Sequence, residues 1–210
     1  FYSSIKVPLI EYIGYVVSES VDSKTDGALM DVGYGWRLTD NVVVETGVEY
    51  FFFNPYKKDY YSGPNMTGSK NAELNVNNTS FGIQIRPMFH TSIGAEETTA
   101  IRLGCGLNGN QNFSRGHYYT YDNQIAVRES QDNGKSGYLF SLQPTAGINF
   151  ELNRSLRVGF DVSYVSVNWN SSMEQVRFPE APTLAIPQHK TSTLFFAAKF
   201  YFGRGMGKSY

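Results

Sequence analysis

The sequence predicts an all-β chain, an eight-stranded antiparallel up-and-down barrel, from three observations: eight stretches with period-two alternation, connections that alternate short and long, and a consistent split of each stretch into an apolar and a polar face. The 210 residues include 15 Tyr, 15 Phe and 20 Gly, with a net charge of -1. Uninterrupted apolar runs such as Tyr50 to Phe53 fall far short of the ~20 residues that a membrane-spanning helix needs. Balanced charge leaves no basic footprint for nucleic acid, which is not an expected partner. Cys105 is the single cysteine, so neither an intramolecular disulfide nor a multi-thiolate metal site can form.

The first strand, over 5–18, places Glu11 inward and Ile10, Tyr12, Gly14 and Val16 outward, and needs a bulge near Pro8 to accommodate Lys6 and Pro8. The second, 28–38, sets Ala28, Met30, Val32, Tyr34, Trp36 and Leu38 against Leu29, Asp31, Gly33, Gly35 and Arg37. In the third, 41–53, Val42, Val44, Thr46, Val48, Tyr50 and Phe52 oppose Val43, Glu45, Gly47, Glu49 and Phe51. The fourth, 79–90, sets Phe81, Ile83, Ile85, Pro87 and Phe89 against Ser80, Gly82, Gln84, Arg86, Met88 and His90. The fifth, 99–110, sets Ile101, Leu103, Cys105 and Leu107 against Arg102, Gly104, Gly106 and Asn108. Strands six, 137–151, and seven, 155–168, oppose Tyr138, Phe140, Leu142, Ala146, Phe150, Val158, Phe160 and Tyr164 to Gln143, Thr145, Gly147, Glu151, Arg157, Gly159 and Asp161. The eighth, 192–202, sets Leu194, Phe196, Ala198, Phe200 and Phe202 against Thr193, Phe195, Ala197, Lys199 and Tyr201. Pro87 and Pro144 fall mid-strand, where each removes a ladder donor, and bulges are expected at both.

Across strands two to eight the first face carries no charge. A soluble barrel would turn that face inward; the reverse assignment here would place Asp31, Glu45, Arg86 and Asp161 in hydrocarbon at about 2–4 kcal/mol for a basic residue at the midplane and less for an acid. The apolar face is therefore the outer one, and the barrel is a transmembrane one. Aromatic residues thicken it at both ends: Tyr50, Phe52, Tyr138, Phe140 and Tyr164 toward one, Trp36, Phe89, Phe150, Phe200 and Phe202 toward the other, as two interfacial girdles would.

Thr39-Asp40, Gly94 to Glu97 and Asn153 to Ser155 form short turns, whereas 19–27, 54–78, 111–136 and 169–191 form long polar loops. In an up-and-down meander all the long loops share one end, the arrangement of outer-membrane barrels. The inward charges Glu11, Asp31, Glu45, Glu49, Glu151 and Asp161 nearly balance Arg37, Arg86, Arg102, Arg157 and Lys199. Eight strands enclose a bore just wide enough to be filled by side chains, so these groups are expected to pair across a polar, side-chain-filled lumen.

Eight such strands, a charged lumen, four long loops at one end and the final strand "TSTLFFAAKFYF" resemble the small outer-membrane β-barrel proteins of Gram-negative bacteria, the porin-family-like group of the OmpA transmembrane domain, OmpX and OmpW. The resemblance implies residence in the bacterial outer membrane with the long loops extracellular and both termini periplasmic. It also implies contact with outer-membrane lipids and lipopolysaccharide. The barrel is expected to span 1–202, and 203–210, "GRGMGKSY", to form a short polar extension where such barrels commonly end on an aromatic residue of the last strand.

The functional expectation is a non-enzymatic structural, adhesion or accessory subunit, without cofactor or metal, that meets a protein partner through its long loops or barrel wall. "PYKKDYYSGPNMTGSK" and "FSRGHYYTYDNQ" interleave aromatic, basic and small polar residues, which suits adaptable binding, so Tyr56, Tyr60, Tyr61, Tyr118, Tyr119 and Tyr121 are the expected partner contacts. "VRFPEAPTLAIPQ" is a further docking candidate. The alternatives are a narrow channel and a lipid-modifying enzyme, one type of which uses a His and a Ser two apart. His90-Thr91-Ser92 has that spacing but falls at the short-turn end; His117 and His189, with Asp122 or Glu180, are the loop candidates.

Overall fold

The computed structural model describes residues 2–10, 27–62, 68–94, 98–153, 156–181, 186 and 190–202. They form strands β1 (Tyr2–Ile10), β2 (Gly27–Arg37), β3 (Val42–Tyr61), β4 (Lys70–Ile93), β5 (Thr99–Asp122), β6 (Ile125–Asn153), β7 (Leu156–Asn168) and β8 (Lys190–Phe202), with a one-turn helix α1 (Asn170–Met173) before β8. Each strand pairs antiparallel with its sequence neighbour, and β1 closes on β8 through Tyr2↔Tyr201 to Ile10↔Leu194. The expected bulge on the first strand is present as a register shift between Pro8 and Ile10. Glu11 and the rest of 11–26 lie outside the described residues, as does 203–210.

The faces divide as the alternation requires. Phe140 is 76% exposed on the outer wall while Arg86 is 0% exposed inside, and the same contrast holds from Met30 and Val32 against Asp31 to Phe200 against Lys199. All ten girdle aromatics point outward. Thr46, the aliphatic hydroxyl of that wall, donates to the Tyr34 carbonyl and accepts from Trp36 Nε1, so both polar side chains are satisfied without water. An apolar outside around a charged inside is stable only when the outside meets hydrocarbon.

Two sequence expectations are corrected. Register continues unshifted through Val44↔Pro87 and Cys105↔Pro144, so neither proline makes a bulge. Instead, the β4–β5 ladder steps from Ile85↔Leu107 to Met88↔Gly104 past Pro87, and the β6–β7 ladder ends at Thr145↔Ser163 beside Pro144. A missing N–H is harmless where a ladder already pauses. The second correction concerns 54–78 and 111–136, which are largely strand rather than loop: β3 to β6 run on as a four-stranded sheet beyond the apolar belt. From Phe113 to Asp122 the strand runs on for about 30 Å of its own length at 3.4 Å per residue. Its β5–β6 turn uses Asn123 and Gln124, both at positive φ (48° and 67°), as a two-residue hairpin loop of the primed type demands.

Above Thr145, β6 leaves β7, and the segment 169–181 takes the place beside it. Gln175 Oε1 accepts from the Lys135 amide (3.2 Å), Asp132 Oδ2 from the Arg177 amide (2.7 Å), and Glu180 pairs with Arg128 (2.6 Å). Gly134 permits this approach, because a Cβ there would sit 1.8 Å from the Ser172 carbonyl oxygen.

Candidate functional site

The interior has two layers built on the same strands. In the lower one, toward the short turns, Glu45 is the hub: it accepts from Arg102, from Lys199 Nζ (3.1 Å), from the Tyr201 hydroxyl (3.1 Å) and from Arg86 (3.4 Å). Arg86 also donates to Glu49 (3.4 Å), Gln143 (2.6 Å) and Gln84, and Gln84 donates on to Asp31 (3.2 Å). Asp161 lies 3.1 Å from Lys199 and 3.7 Å from Arg102. Gly106 leaves the space Arg86 needs, since a Cβ there would stand 3.3 Å from Nε. All seven charged groups are buried.

Three residues expected in that network lie outside it. Arg37 pairs with Asp40 (2.8 Å), an acid on the short turn whose side chain is 94% exposed, and Glu151 pairs with Arg157 (2.6 Å) at the same rim. Each sits at a strand end, where reaching water is easier than reaching the centre.

The upper layer is largely apolar, which the charged lower half did not foretell, with an uncharged polar strip along β4 and β5 in which Ser114 bonds Asn78 (2.8 Å) and Ser172 (2.7 Å). Leu29, Phe51, Phe53, Leu74, Val76, Val165, Val167 and Phe195 project from the strands, and Trp169, Met173, Val176 and Phe178 descend from the 169–181 segment to complete a buried cluster. Phe53 packs edge-on against Trp169 at 5.3 Å between centroids. The lumen is filled, as expected, but only its lower half by charge.

The layer also captures part of the expected binding surface. A register shift between Phe53 and Tyr56 turns Tyr56 inward, where it is 6% exposed within the cluster; simple alternation would have left it outside. Tyr60 and Tyr118 pack against the same cluster, Tyr118 on Phe178 at 5.5 Å. Burial, with Tyr56 and Tyr118 nearby, pushes the Tyr60 phenol up to about 12. Tyr61 is half-buried opposite Lys70.

Tyr119 and Tyr121 face outward. Tyr119 donates to Glu129 (3.2 Å), and His117 Nδ1 lies 2.8 Å from the same carboxylate; the hydrogen bond from His117 holds Glu129 below the usual carboxylate range. The Tyr121 hydroxyl donates to Glu73 (3.1 Å) under Lys70, whose Nζ stands 4.8 Å from the ring centroid. Burial alone would raise the Glu73 pKa, but hydrogen bonds from Lys70, Lys57 and Tyr121 bring it down overall. Burial alone would lower that of Lys70, and its bonds to Asp59 and Glu73 raise it instead.

Sequence reasoning missed the tip. Ile125 and Val127 are 69% and 61% exposed at the apex of the β5–β6 hairpin; two apolar residues within a polar stretch were the available signal. Among the described residues no group of three or more His, Cys, Asp and Glu could hold a metal. His117 and Glu180 are each engaged with a neighbour, and His189 lies outside the described residues. His90 sits at the short-turn end, its amide donating to Asn41 (2.7 Å).

No protein-family model and no curated protein matches the chain. Among solved structures it is similar to Neisserial surface protein A, at 11% identity over 96% of this chain and 94% of that one with a TM-score of 0.46. It is also similar to Ail, the attachment invasion locus protein of Yersinia pestis, at 12% identity over 95% and 93% with a TM-score of 0.34. At such values the likeness carries no argument; the closed register and the two faces establish the barrel.

Proposed function

We propose that this is a non-enzymatic outer-membrane barrel, a structural, adhesion or accessory subunit that presents the projecting β3–β6 sheet at the cell surface to a protein partner. The observation that carries the reading is the pair Ile125 and Val127, held in the open at the end of the β5–β6 hairpin beyond the apolar belt. Exposed apolar side chains at such a tip suit burial against another molecule. The barrel through Phe202 serves as the anchor. Its filled lumen supports anchoring rather than conduction, and the short turns and the paired ends Tyr2 and Tyr201 face the periplasm in this orientation.

The test is to replace Ile125 and Val127 by Ser and follow co-purification of surface partners from crosslinked cells. Loss of a partner by more than about tenfold, in a variant that still runs faster unboiled than boiled, is the expected result, since a central apolar anchor is worth about 2 kcal/mol or more. Unchanged capture would sink the tip as the contact.

A further inference from the structure

The β6–β7 ladder stops at Thr145↔Ser163, yet both strands run on above it, β7 to Asn168 and β6 well beyond. The wall therefore has a seam bordered by two strand edges. On β6, Tyr138 to Pro144 pair with β5 on one side, and among the described residues no strand lies on the other. Higher up, 128–136 is covered by the 169–181 segment. Hydroxyls of the same strand cap the two ends of the open stretch, Ser136 on the Gly137 carbonyl (2.6 Å) and Thr145 on the Gln143 carbonyl (3.3 Å). On β7, Tyr164 to Asn168 pair with β8; on the seam side, the Asn168 carbonyl accepts from Asn112 Nδ2 (2.8 Å) and no described strand lies beside it.

The chemistry of the seam invites a strand. Tyr138 and Phe140 are the most exposed aromatic residues of the outer wall, at 73% and 76%, because nothing flanks them there. The stretch from Tyr138 to Pro144 carries no charge. A second edge is built differently: β3 passes its last β2 pair at Phe53 and then carries Pro55, Lys57 and Lys58, residues that discourage strand addition. The seam opens in the apolar wall, where hydrocarbon offers nothing to an unmet N–H or C=O.

We propose that two copies of this chain pair through the seam, β6 of each lying antiparallel to β7 of the other about a two-fold axis along the membrane normal. β6 descends and β7 ascends, so the pairing that ends within one copy at Thr145↔Ser163 resumes between copies in the same sense. That axis sets the β6 side of one seam opposite the β7 side of the other, keeps both copies the same way up, and forms each pair twice. An edge that points sideways out of the wall is reached from within the same membrane, and this chain supplies both edges that the pairing needs. The inference rests on the outer-membrane reading above, and it sets two β5–β6 hairpins side by side.

The test mixes two single-cysteine forms in phosphatidylcholine bilayers, each in a Cys105→Ser background. Leu142→Cys on β6 is combined in turn with Tyr164→Cys, Ser166→Cys or Asn168→Cys on β7, all on the outer face. Oxidised samples are run on non-reducing gels, and heat-modifiable migration confirms insertion of every form. One of the three mixtures is expected to give a β6–β7 cross-linked dimer at about tenfold above the product of Leu142→Cys alone. Adding Phe140→Lys to the Leu142→Cys form, which charges this edge as β3 is charged, should lower that product by about fivefold or more. An undiminished product in the Phe140→Lys form overturns pairing through the edge. Placing both cysteines in one chain gives the converse check: an intrachain disulfide in place of the dimer means that the seam closes on itself, and overturns the proposal. Cross-linking in every mixture no higher than that of Ile83→Cys on β4 also overturns it, while leaving the membrane reading and the tip intact. Failure of the wild type to insert would overturn the membrane reading itself.

Discussion

The two halves of the interior are filled by the same strands with opposite chemistry. Along β3 the inward positions change from Glu45 and Glu49 to Phe51 and Phe53, and along β8 from Lys199 to Phe195. In the lower half a charge away from the rim has no route to water, so each such acid must find a base within the bore, and the packing is a network of specific distances. In the upper half the strands diverge, β7 gives way to the 169–181 segment, and apolar side chains fill an irregular space where a matched ion network would be harder to build. The lower half is therefore specified by pairing and the upper half by volume.

The largest effect is expected from Glu45→Gln, which leaves Arg86, Arg102 and Lys199 without their shared acid. Unfolding in urea from detergent micelles should show a loss of about 3–5 kcal/mol. A loss below 1 kcal/mol would mean that the lower half does not depend on pairing. Met173→Ala should cost about 2 kcal/mol, and locally: hydrogen exchange should rise in 169–181 and the upper strands while amides around Glu45 and Arg86 stay protected. A uniform rise through both halves would erase the distinction.

That distinction was only half legible in the sequence. The lower half was readable because Glu45, Arg86, Arg102, Asp161 and Lys199 share a face whose neighbours alternate cleanly with apolar residues, and a period of two assigns every side chain at once. The upper half was hidden by three local events. The shift between Phe53 and Tyr56 inverts the faces, so Tyr56 lands inside against its own alternation. The Asn123-Gln124 turn lacks the glycine that usually marks a two-residue hairpin, so β5 and β6 passed for loop. Trp169, Met173, Val176 and Phe178 sit in a segment with no period at all; only its apolar content hinted that it was covered. Above the belt water reaches the outer face, the contrast that marks strands in lipid fades, and strand length was underestimated there.

Smaller effects probe the projecting sheet. Glu73 has a lowered pKa, so the stability it contributes is present above its unfolded value of 4.5 and is lost as pH falls through the lower folded value. Lys70 has a raised pKa, so its contribution is present below 10.5 and is lost only as pH rises through the higher folded value. The β3–β4 hairpin should therefore keep its cleavage rate by an acid-active protease constant from pH 6 down to about 5, then open below about 4, by less than about 1 kcal/mol for a partly exposed cluster. Opening at equal rates in Glu73→Gln and wild type at pH 3, but not at pH 7, would match this. Smallest of all, Asp40→Ala at the exposed rim should change stability by under about 0.5 kcal/mol, the value of an open surface pair.

The central claim is that the apolar wall faces lipid along the barrel and water only above it. Nitroxide labels at Ile83→Cys, Leu103→Cys, Leu142→Cys and Tyr119→Cys, each in a Cys105→Ser background and reconstituted in bilayers, report it directly through accessibility to oxygen and to a water-soluble nickel chelate. The first three positions should favour oxygen and Tyr119→Cys the chelate. Preferential access of the chelate at Ile83, Leu103 and Leu142 would contradict the account.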